Sequence, residues 1–349
     1  MQLPDDAVPA RPADDRPAPL VSVGVPVYNG DLYLEEALAA LRDQDLRDIE
    51  VIVSDNGSTD ETGKIARAFA DADPRFRYVR SEQNRGVPWN FNRVLDLARA
   101  PLFLWNAADD VVEPQHLVRC REALLAHPEA EIAFPRVTLV DAAGDVVGSM
   151  DDEDLQYLGL APAERVDQLL RRQSWQAIAW GGVLRTDALR AMGGHPRFFG
   201  GDIVLGIRSA LRAEWVVVPE PLFRCRRHDN QNSKAVGADP IVQVRSYDPG
   251  FRRPVAFPQW YLAYRMMAEP LAAPLPLVDR ARALASVARR WTVPQWRLLA
   301  YDVKRNAIRL RRGQYQGGLL GVLGVLGLTR SRHGNIPREP WEPGRHPAR

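Results

Sequence analysis

The sequence predicts an α/β fold in which a mostly parallel central sheet carries helices on both faces. Three observations support this. Short β-branched runs alternate, up to about residue 130, with segments whose apolar residues recur at helical spacing. Polar stretches, two of them acidic, follow directly on three of those runs, at the end of a parallel sheet where ligands bind. The composition, 46% hydrophobic and 26% charged over 349 residues, suits a chain that buries a proper core.

Residues 20–27 (LVSVGVPV) form the first strand, and Leu34, Leu38 and Leu41 mark the helix after it. Residues 49–54 (IEVIVS) are the second strand, ending at Asp55. Ser58-Thr59-Asp60-Glu61 reads as a capping box opening a helix lined by Ile65, Ala66 and Phe69. Residues 76–79 make a third strand, and Phe91, Val94, Leu95 and Ala98 an amphipathic helix. Residues 102–105 are the fourth strand, followed by a helix through Leu117, Cys120 and Leu124. The strand-end segments are thus Tyr28-Asn29, Asp55-Asn56-Gly57 and residues 106–110.

From about residue 130 the pattern changes. Residues 132–140 and 145–149 read as strands around a turn at Ala143-Gly144, and residues 150–154 as an acidic loop. Val166, Leu169 and Leu170 suggest a helix. Residues 183–194 read as a strand and a short helix stopped by a glycine pair. Residues 203–213 are helical and 214–218 a strand, completing the sheet. Residues 260–268 and 279–312 then form a basic helical tail, with Trp291, Trp296 and Tyr301 among its arginines.

Lys and Arg total 46 against 44 Asp and Glu, a net charge of +2, which gives no global argument for a nucleic-acid partner. Two cysteines, Cys120 and Cys225, cannot build a disulfide framework or a four-thiolate zinc site, and reduced thiols in a cytoplasmic chain are the simple reading. The amino end has no basic, apolar signal pattern. Residues 4–19 and the last twenty residues are expected to be loose. The apolar stretch 317–328 carries five glycines and is too short to span a bilayer. No G-x-G-x-x-G or G-K-[ST] follows the first strand, against a dinucleotide oxidoreductase or a P-loop enzyme.

Four places could carry chemistry. Asp55 can accept hydrogen bonds from a nucleobase or ribose, or merely cap its turn. Asp109 and Asp110 repel each other unless a cation sits there, which a divalent ion with substrate phosphates would supply; a solvated helix start is the alternative. Asp202 is either a helix N-cap or a general base. His228 follows Arg224, Arg226 and Arg227 in a run suited to a diphosphate and its metal, or in a solvated basic loop.

In order along residues 20–235, these segments resemble the family 2 glycosyltransferases, with their GT-A nucleotide-diphospho-sugar transferase fold. Residues 21–30 (VSVGVPVYNG) look like the family's opening strand and loop, and residues 53–60 (VSDNGSTD) like its second-strand motif, whose first Asp contacts the base. Gln83-Asn84-Arg85-Gly86 resembles the asparagine–glycine turn. Ala107-Ala108-Asp109-Asp110, with Pro114, lines up with the D-x-D-D segment, and Gly201-Asp202, with Leu205 and Arg208, with the E-D motif that carries the base. Arg227-His228 and the Asn-Ser ending resemble the closing metal and diphosphate loop. Two positions depart: Ala107 replaces the first Asp of D-x-D, and Gly201 the Glu of E-D.

The resemblance implies an inverting transfer from a nucleotide-diphospho-sugar donor, with Asp202 as base and Asp109 and His228 holding Mg²⁺ or Mn²⁺. Pro26, Tyr28, Asn29, Asp55 and Arg85, with Asp109, would form the nucleotide pocket. Trp180, Gly181 and Gly182, and Gly193-Gly194-His195, lie where the family builds acceptor contacts; buried packing is the equal alternative for Trp180. UDP-, GDP- and dTDP-sugars all fit, and the acceptor would be a polysaccharide, a lipid-linked sugar or a small molecule, in cell-envelope or natural-product synthesis. The expected organisation is a tail to residue 19, a catalytic domain over 20–247, a basic helical extension over 248–330 and a tail over 331–349. The extension either lies on anionic lipid at the inner face of the plasma membrane or caps the catalytic domain or a second subunit; its Trp and Leu spacing favours the cap. A catalytically inactive nucleotide-sugar-binding or scaffolding protein is the rival reading, with Ala107 and Gly201 its support. A sugar-nucleotide pyrophosphorylase ranks lower, because no glycine- and lysine/arginine-rich signature follows the first strand.

Overall fold

The computed structural model describes residues 18–150, 157–172, 181–229 and 239–311. Residues 1–17, 151–156, 173–180, 230–238 and 312–349 lie outside the described residues, and with them the acidic loop, Trp180, the end of the His228 run and the apolar stretch at 317–328.

The elements are β1 (Val21–Val27), α1 (Asp31–Arg42), β2 (Ile49–Asp55), α2 (Thr62–Ala72), β3 (Phe76–Arg80), α3 (Val87–Leu97), β4 (Leu102–Trp105), β5 (Val111–Val112) and α4 (His116–Ala126). There follow β6 (Ala130–Val140), β7 (Val146–Met150), α5 (Pro162–Arg172), β8 (Val183–Arg185), α6 (Thr186–Ala191), α7 (Gly201–Arg212) and β9 (Glu214–Arg226). The chain continues through α8 (Pro240–Tyr247), α9 (Pro258–Ala272), α10 (Leu277–Val287), a π turn (Ala288–Thr292) and α11 (Trp296–Arg311).

The strands form one nine-stranded sheet of order β3-β2-β1-β4-β8-β6-β9-β5, with β7 beside β6. β3, β2, β1 and β4 run parallel, as expected. The second half mixes directions: β8 lies antiparallel between β4 and β6, while β6 and β9 pair in parallel. The chain order reverses beside β1, so the ends of β1, β2 and β4 border one crevice.

Alternation along the strands sends side chains into two cores. Val21, Val23, Val25, Leu102 and Leu104 pack with Leu34, Leu38, Leu117 and Leu124 on one face. Ile52, Phe103 and Trp105 pack with Val94, Leu169, Val204 and Ile207 on the other. Gly24 lets α3 close on β1, since a Cβ there would stand 2.6 Å from Val94 Cγ2.

Three local expectations are corrected. The helix expected at Ser58 begins at Thr62, and the polar side chains of 58–62 are shared between it, where Thr62 N donates to Asp60 Oδ1, and the start of α1. Asp31 N donates to Asp60 Oδ2 and Gly30 N to Thr62 Oγ1, at the start of α1. β9 runs unbroken from the strand expected at 214–218 through the strand-like residues 221–223 to Arg226, so Arg224 and Arg226 belong to a strand. The helix expected over 279–312 breaks: α10 ends in the π turn and α11 starts at Trp296, because Pro294 has no N–H to continue the ladder.

The basic extension packs on the body. Leu262, Ala263 and Met266 of α9, Val287 of α10, Trp291 and Leu299 share the core of α5 and α7. Arg208 of α7 grips Glu269 of α9 through two bonds of 2.9 and 2.6 Å, and Arg289 and Arg290 both bond Asp167 of α5. This is the cap arrangement on the chain's own body. Among the described residues, no helix is long and apolar enough to cross a membrane.

Candidate active site

The strand-end loops are laced together before they can bind anything. Asn56 N donates to Val27 O and Asn106 N to Gly24 O, both at 2.9 Å, tying the ends of β2 and β4 to β1. Asn29 takes a positive φ of 49°, a conformation its short polar side chain supports. Its N donates to Ser58 Oγ and its Oδ1 accepts from Thr59 N, both at 2.9 Å. Asn56 reaches on to the next loop, donating to Asn84 Oδ1 and Gly86 O while accepting from Arg85 N. The asparagine–glycine turn is therefore held by the end of β2.

Two residues expected in the nucleotide pocket are covered instead. Pro26 is buried within β1. Asp55 is 0% exposed; its Oδ1 accepts from Ser58 N, and its Oδ2 from Tyr78 Oη at 2.8 Å and Arg80 Nη1 at 2.7 Å. With three donors converging on it, Asp55 builds the loop in the way its turn-capping alternative described. Tyr28, just past β1, is 46% exposed and open to a ligand. Arg85 is half-buried, its guanidinium 5.0 Å from the ring centroid of Trp89, with Arg93 at the same distance.

Past β4 the structure brings together residues distant in sequence. His228 Nε2 lies 2.9 Å from Asp109 Oδ2. Its other ring nitrogen, Nδ1, is buried without a hydrogen-bond partner among the described residues. Asp110 is buried, and burial together with the nearby Asp109 carboxylate pushes its pKa up to about 8. Asp109 and His228 offer a divalent cation two donors, and among the described residues no third His, Cys, Asp or Glu joins them. When Nδ1 carries the proton, Nε2 and the Asp109 carboxylate aim lone pairs at one region, and phosphate oxygens would complete the shell.

The organiser of this region is Arg226, expected in a run suited to a diphosphate and its metal or in a solvated basic loop. It is 1% exposed and almost fully bonded. Its N donates to Asp110 Oδ1, its Nε to Asp109 O, its Nη1 to the carbonyls of Asp141 and Ala142, and its Nη2 to Glu36. The guanidinium lies 4.7 Å from the Tyr33 ring, which contacts the His228 ring at 4.7 Å. Asn90 was missed. It is buried in α3, accepts from Ser54 Oγ and donates to Val27 O and Ser54 O, pinning two strand ends. A lone polar residue on the inner face of an amphipathic helix was its signal.

Asp202 stands at the start of α7, half-buried. Burial raises its pKa to about 6, partly offset by the backbone N–H groups of Asp202 and Ile203. His195 and Tyr247 pack nearby; burial pushes the His195 pKa down to about 4, keeping it neutral. Gly201 is explained by space. An ideal Cβ there would lie 2.4 Å from Pro196 O, so no side chain fits before Asp202 without a shift of backbone.

Of the expected acceptor residues, Trp180 lies outside the described residues and Gly193 is exposed, while the rest are buried. Gly181 and Gly182 are buried, and a Cβ on Gly181 would meet the Phe223 ring at 3.1 Å. Gly194 and His195 are buried as well, His195 N donating to Asn92 Oδ1 and Asn92 Nδ2 to His195 O.

Comparison with known proteins places this arrangement. Residues 22–144 match the sequence model of glycosyl transferase family 2. The chain carries a family 2 glycosyltransferase domain. It is 28% identical over 228 residues to the putative glycosyltransferase EpsH of Bacillus subtilis, covering 65% of this chain and 61% of EpsH. The chain thus spans about three-fifths of that relative's length. The chain superposes on the S. aureus TarS fragment solved with UDP-GlcNAc, with a TM-score of 0.58 and 18% identity, over 77% of this chain and 72% of that one. It also superposes on the mannosyltransferase PcManGT of Pyrobaculum calidifontis, solved with GDP-Man and Mn²⁺, with a TM-score of 0.52 and 18% identity, over 89% and 79%. These likenesses establish the GT-A fold.

Proposed function

We propose that the protein is an inverting glycosyltransferase that moves a sugar from a nucleotide-diphospho-sugar to a hydroxyl acceptor. The observation that carries this reading is the meeting of Asp109 and His228, 119 residues apart, at the carboxyl end of the parallel strands. The nucleotide sugars in the TarS and PcManGT structures, and the Mn²⁺ in the latter, support it.

In this reading the donor lies over the loops after β1, β2 and β4, with Tyr28 and Arg85 open to the nucleotide. A divalent cation held by Asp109 and His228 would offset negative charge gathering on the leaving diphosphate. Asp202 takes the acceptor hydroxyl's proton as that oxygen bonds to the anomeric carbon. The bond from that carbon to the diphosphate oxygen breaks on the opposite side, giving inversion. A carboxylate whose pKa is raised to about 6 suits this work, being ionised at neutral pH and more basic than an exposed Asp. Holding donor and acceptor in line removes much of the entropic part of the barrier. Gly201 does not argue for an inactive scaffold, because it follows from the approach of Pro196 and leaves the carboxylate of Asp202 in place.

The test is release of nucleoside diphosphate from UDP-, GDP- and dTDP-sugars with Mn²⁺ or Mg²⁺. Release from one nucleotide class, lost in Asp202→Asn, is expected. Tight donor binding with no turnover toward any acceptor would favour the inactive-scaffold reading.

A further inference from the structure

An aromatic ridge runs outward from the loop that delivers Asp202. Phe198 is half-buried in that loop, and Phe198 O accepts from Gly201 N at 3.0 Å, fixing the turn before the base. Its ring meets Tyr261 of α9 edge-on, 5.2 Å between centroids at 85°. Tyr261 in turn stands 6.2 Å from Tyr264, one helical turn on. Tyr261 is 39% exposed and Tyr264 65%. Arg265 stiffens the ridge from beside it: its guanidinium carbon lies 4.9 Å from the Phe198 ring, its Nη1 donates to Tyr261 Oη, and its Nη2 lies 3.7 Å from the Glu269 carboxylate that Arg208 also holds.

The ridge is mounted on the base. α9 is fixed to α7 by the Arg208–Glu269 pair, and Leu262 Cδ2 packs within 2.6 Å of where a Cβ on Gly200 would sit. Packing within the protein does not account for Tyr264, two-thirds of whose surface faces solvent. Flat rings carrying one hydroxyl suit a ligand that has an apolar face and a hydrogen-bonding rim. A sugar ring has both. A series of rings leading away from the base suits several sugars in a row.

We propose that Phe198, Tyr261 and Tyr264 form the acceptor platform, and that the acceptor is a glycan chain of two or more sugars. This rests on the transferase reading above. The probes are cello-, malto-, chito- and laminari-hexaose with their monosaccharides, added to the full chain loaded with Mn²⁺ and a nucleoside diphosphate, and followed by saturation-transfer NMR from the aromatic protons. At least one hexasaccharide is expected to bind at least tenfold more tightly than its monosaccharide. Tyr264→Ala should weaken it about tenfold, within the range of a lost aromatic stacking partner. Tyr264→Phe should keep it within about threefold. Leu271→Ala, an exposed change farther along α9, serves as the control. If nucleotide binds but no hexasaccharide does, or if Tyr264→Ala binds as the wild type does, the platform is wrong and the transferase reading stands. If no nucleotide binds, the transferase reading fails and the platform falls with it.

Discussion

Arg226→Lys is the sharpest test of how the metal-holding corner is built. The substitution keeps a positive charge and removes the planar fork. Three backbone carbonyls, those of Asp109, Asp141 and Ala142, depend on that fork, and the side chain is 1% exposed, so water cannot replace what is lost. At roughly 1 kcal/mol for each net hydrogen bond, the expected loss is about 3 kcal/mol. The Glu36 pair adds little, because that carboxylate is 56% exposed and screened. The site should suffer as well. Arg226 bonds Asp109 O directly and supports the His228 ring through Tyr33, so its loss loosens both residues expected to hold the cation. Urea unfolding would measure the stability, and calorimetric titration of a UDP- or GDP-sugar with and without Mn²⁺ the site. The expected result is a stability loss near 3 kcal/mol and a metal-dependent gain in donor affinity reduced at least tenfold, with little change in chelator. A loss below about 1 kcal/mol with the metal effect intact would refute the reasoning. An equal loss of affinity in chelator would show that Arg226 touches the diphosphate itself.

Four further outcomes are expected. Asp202→Asn should bind donor normally and transfer at least a hundredfold more slowly, the scale of a lost general base; near-normal turnover would remove that role. Because the Asp202 pKa is raised to about 6 and the base must be ionised, kcat/KM for the acceptor should fall about tenfold per unit below pH 6 and level off above it. A profile flat to pH 4.5 would contradict the assignment. Asp302, which caps α9 by accepting from Gln259 N, also has its pKa raised to about 6 by burial. The folded state therefore keeps a proton that the unfolded chain has lost between about pH 4 and 6, so this group makes stability decline as pH rises through that window. Asp302→Asn should flatten the decline in urea titrations across those pH values. Gly201→Ala should cost about 1–3 kcal/mol through its clash with Pro196 O, and a neutral change would mean that the backbone there yields.

Much of this was legible in the sequence, for identifiable reasons. β1, β2 and β4 are short runs rich in Val, Ile and Leu and buried on both faces, so composition and length suffice to find them. Asp109 and His228 could be paired only through the family resemblance, since their separation along the chain carries no local signal. Where the reading failed, local chemistry had two uses and tertiary contacts chose between them. Ser58, Asp60 and Thr62 have the side chains of a helix cap, and they reach the start of α1 across the crevice, Asp60 also accepting from Thr62 N at the start of α2. Asp55 looks the same in sequence whether it faces a base or, as here, Arg80 and Tyr78. Arg226 sits among Arg224, Arg227 and His228, and only the length of β9 shows that it points inward. Pro294 was the overlooked sign of the break before α11. The aromatic ridge was not legible, because Phe198 and Tyr261 meet only when α9 folds back on α7.

The central claim is that Asp109 and His228 hold a cation that in turn holds a nucleotide-diphospho-sugar. Its most direct test is a thermal-shift panel of UDP-, GDP- and dTDP-sugars with Mn²⁺, Mg²⁺ or chelator, run on the wild type and on Asp109→Ala. A ligand bound only by the folded state raises the melting temperature. The account predicts a rise with one nucleotide class that needs the metal and disappears in Asp109→Ala. A rise unchanged by chelator and by Asp109→Ala, or no rise with any donor, would contradict it.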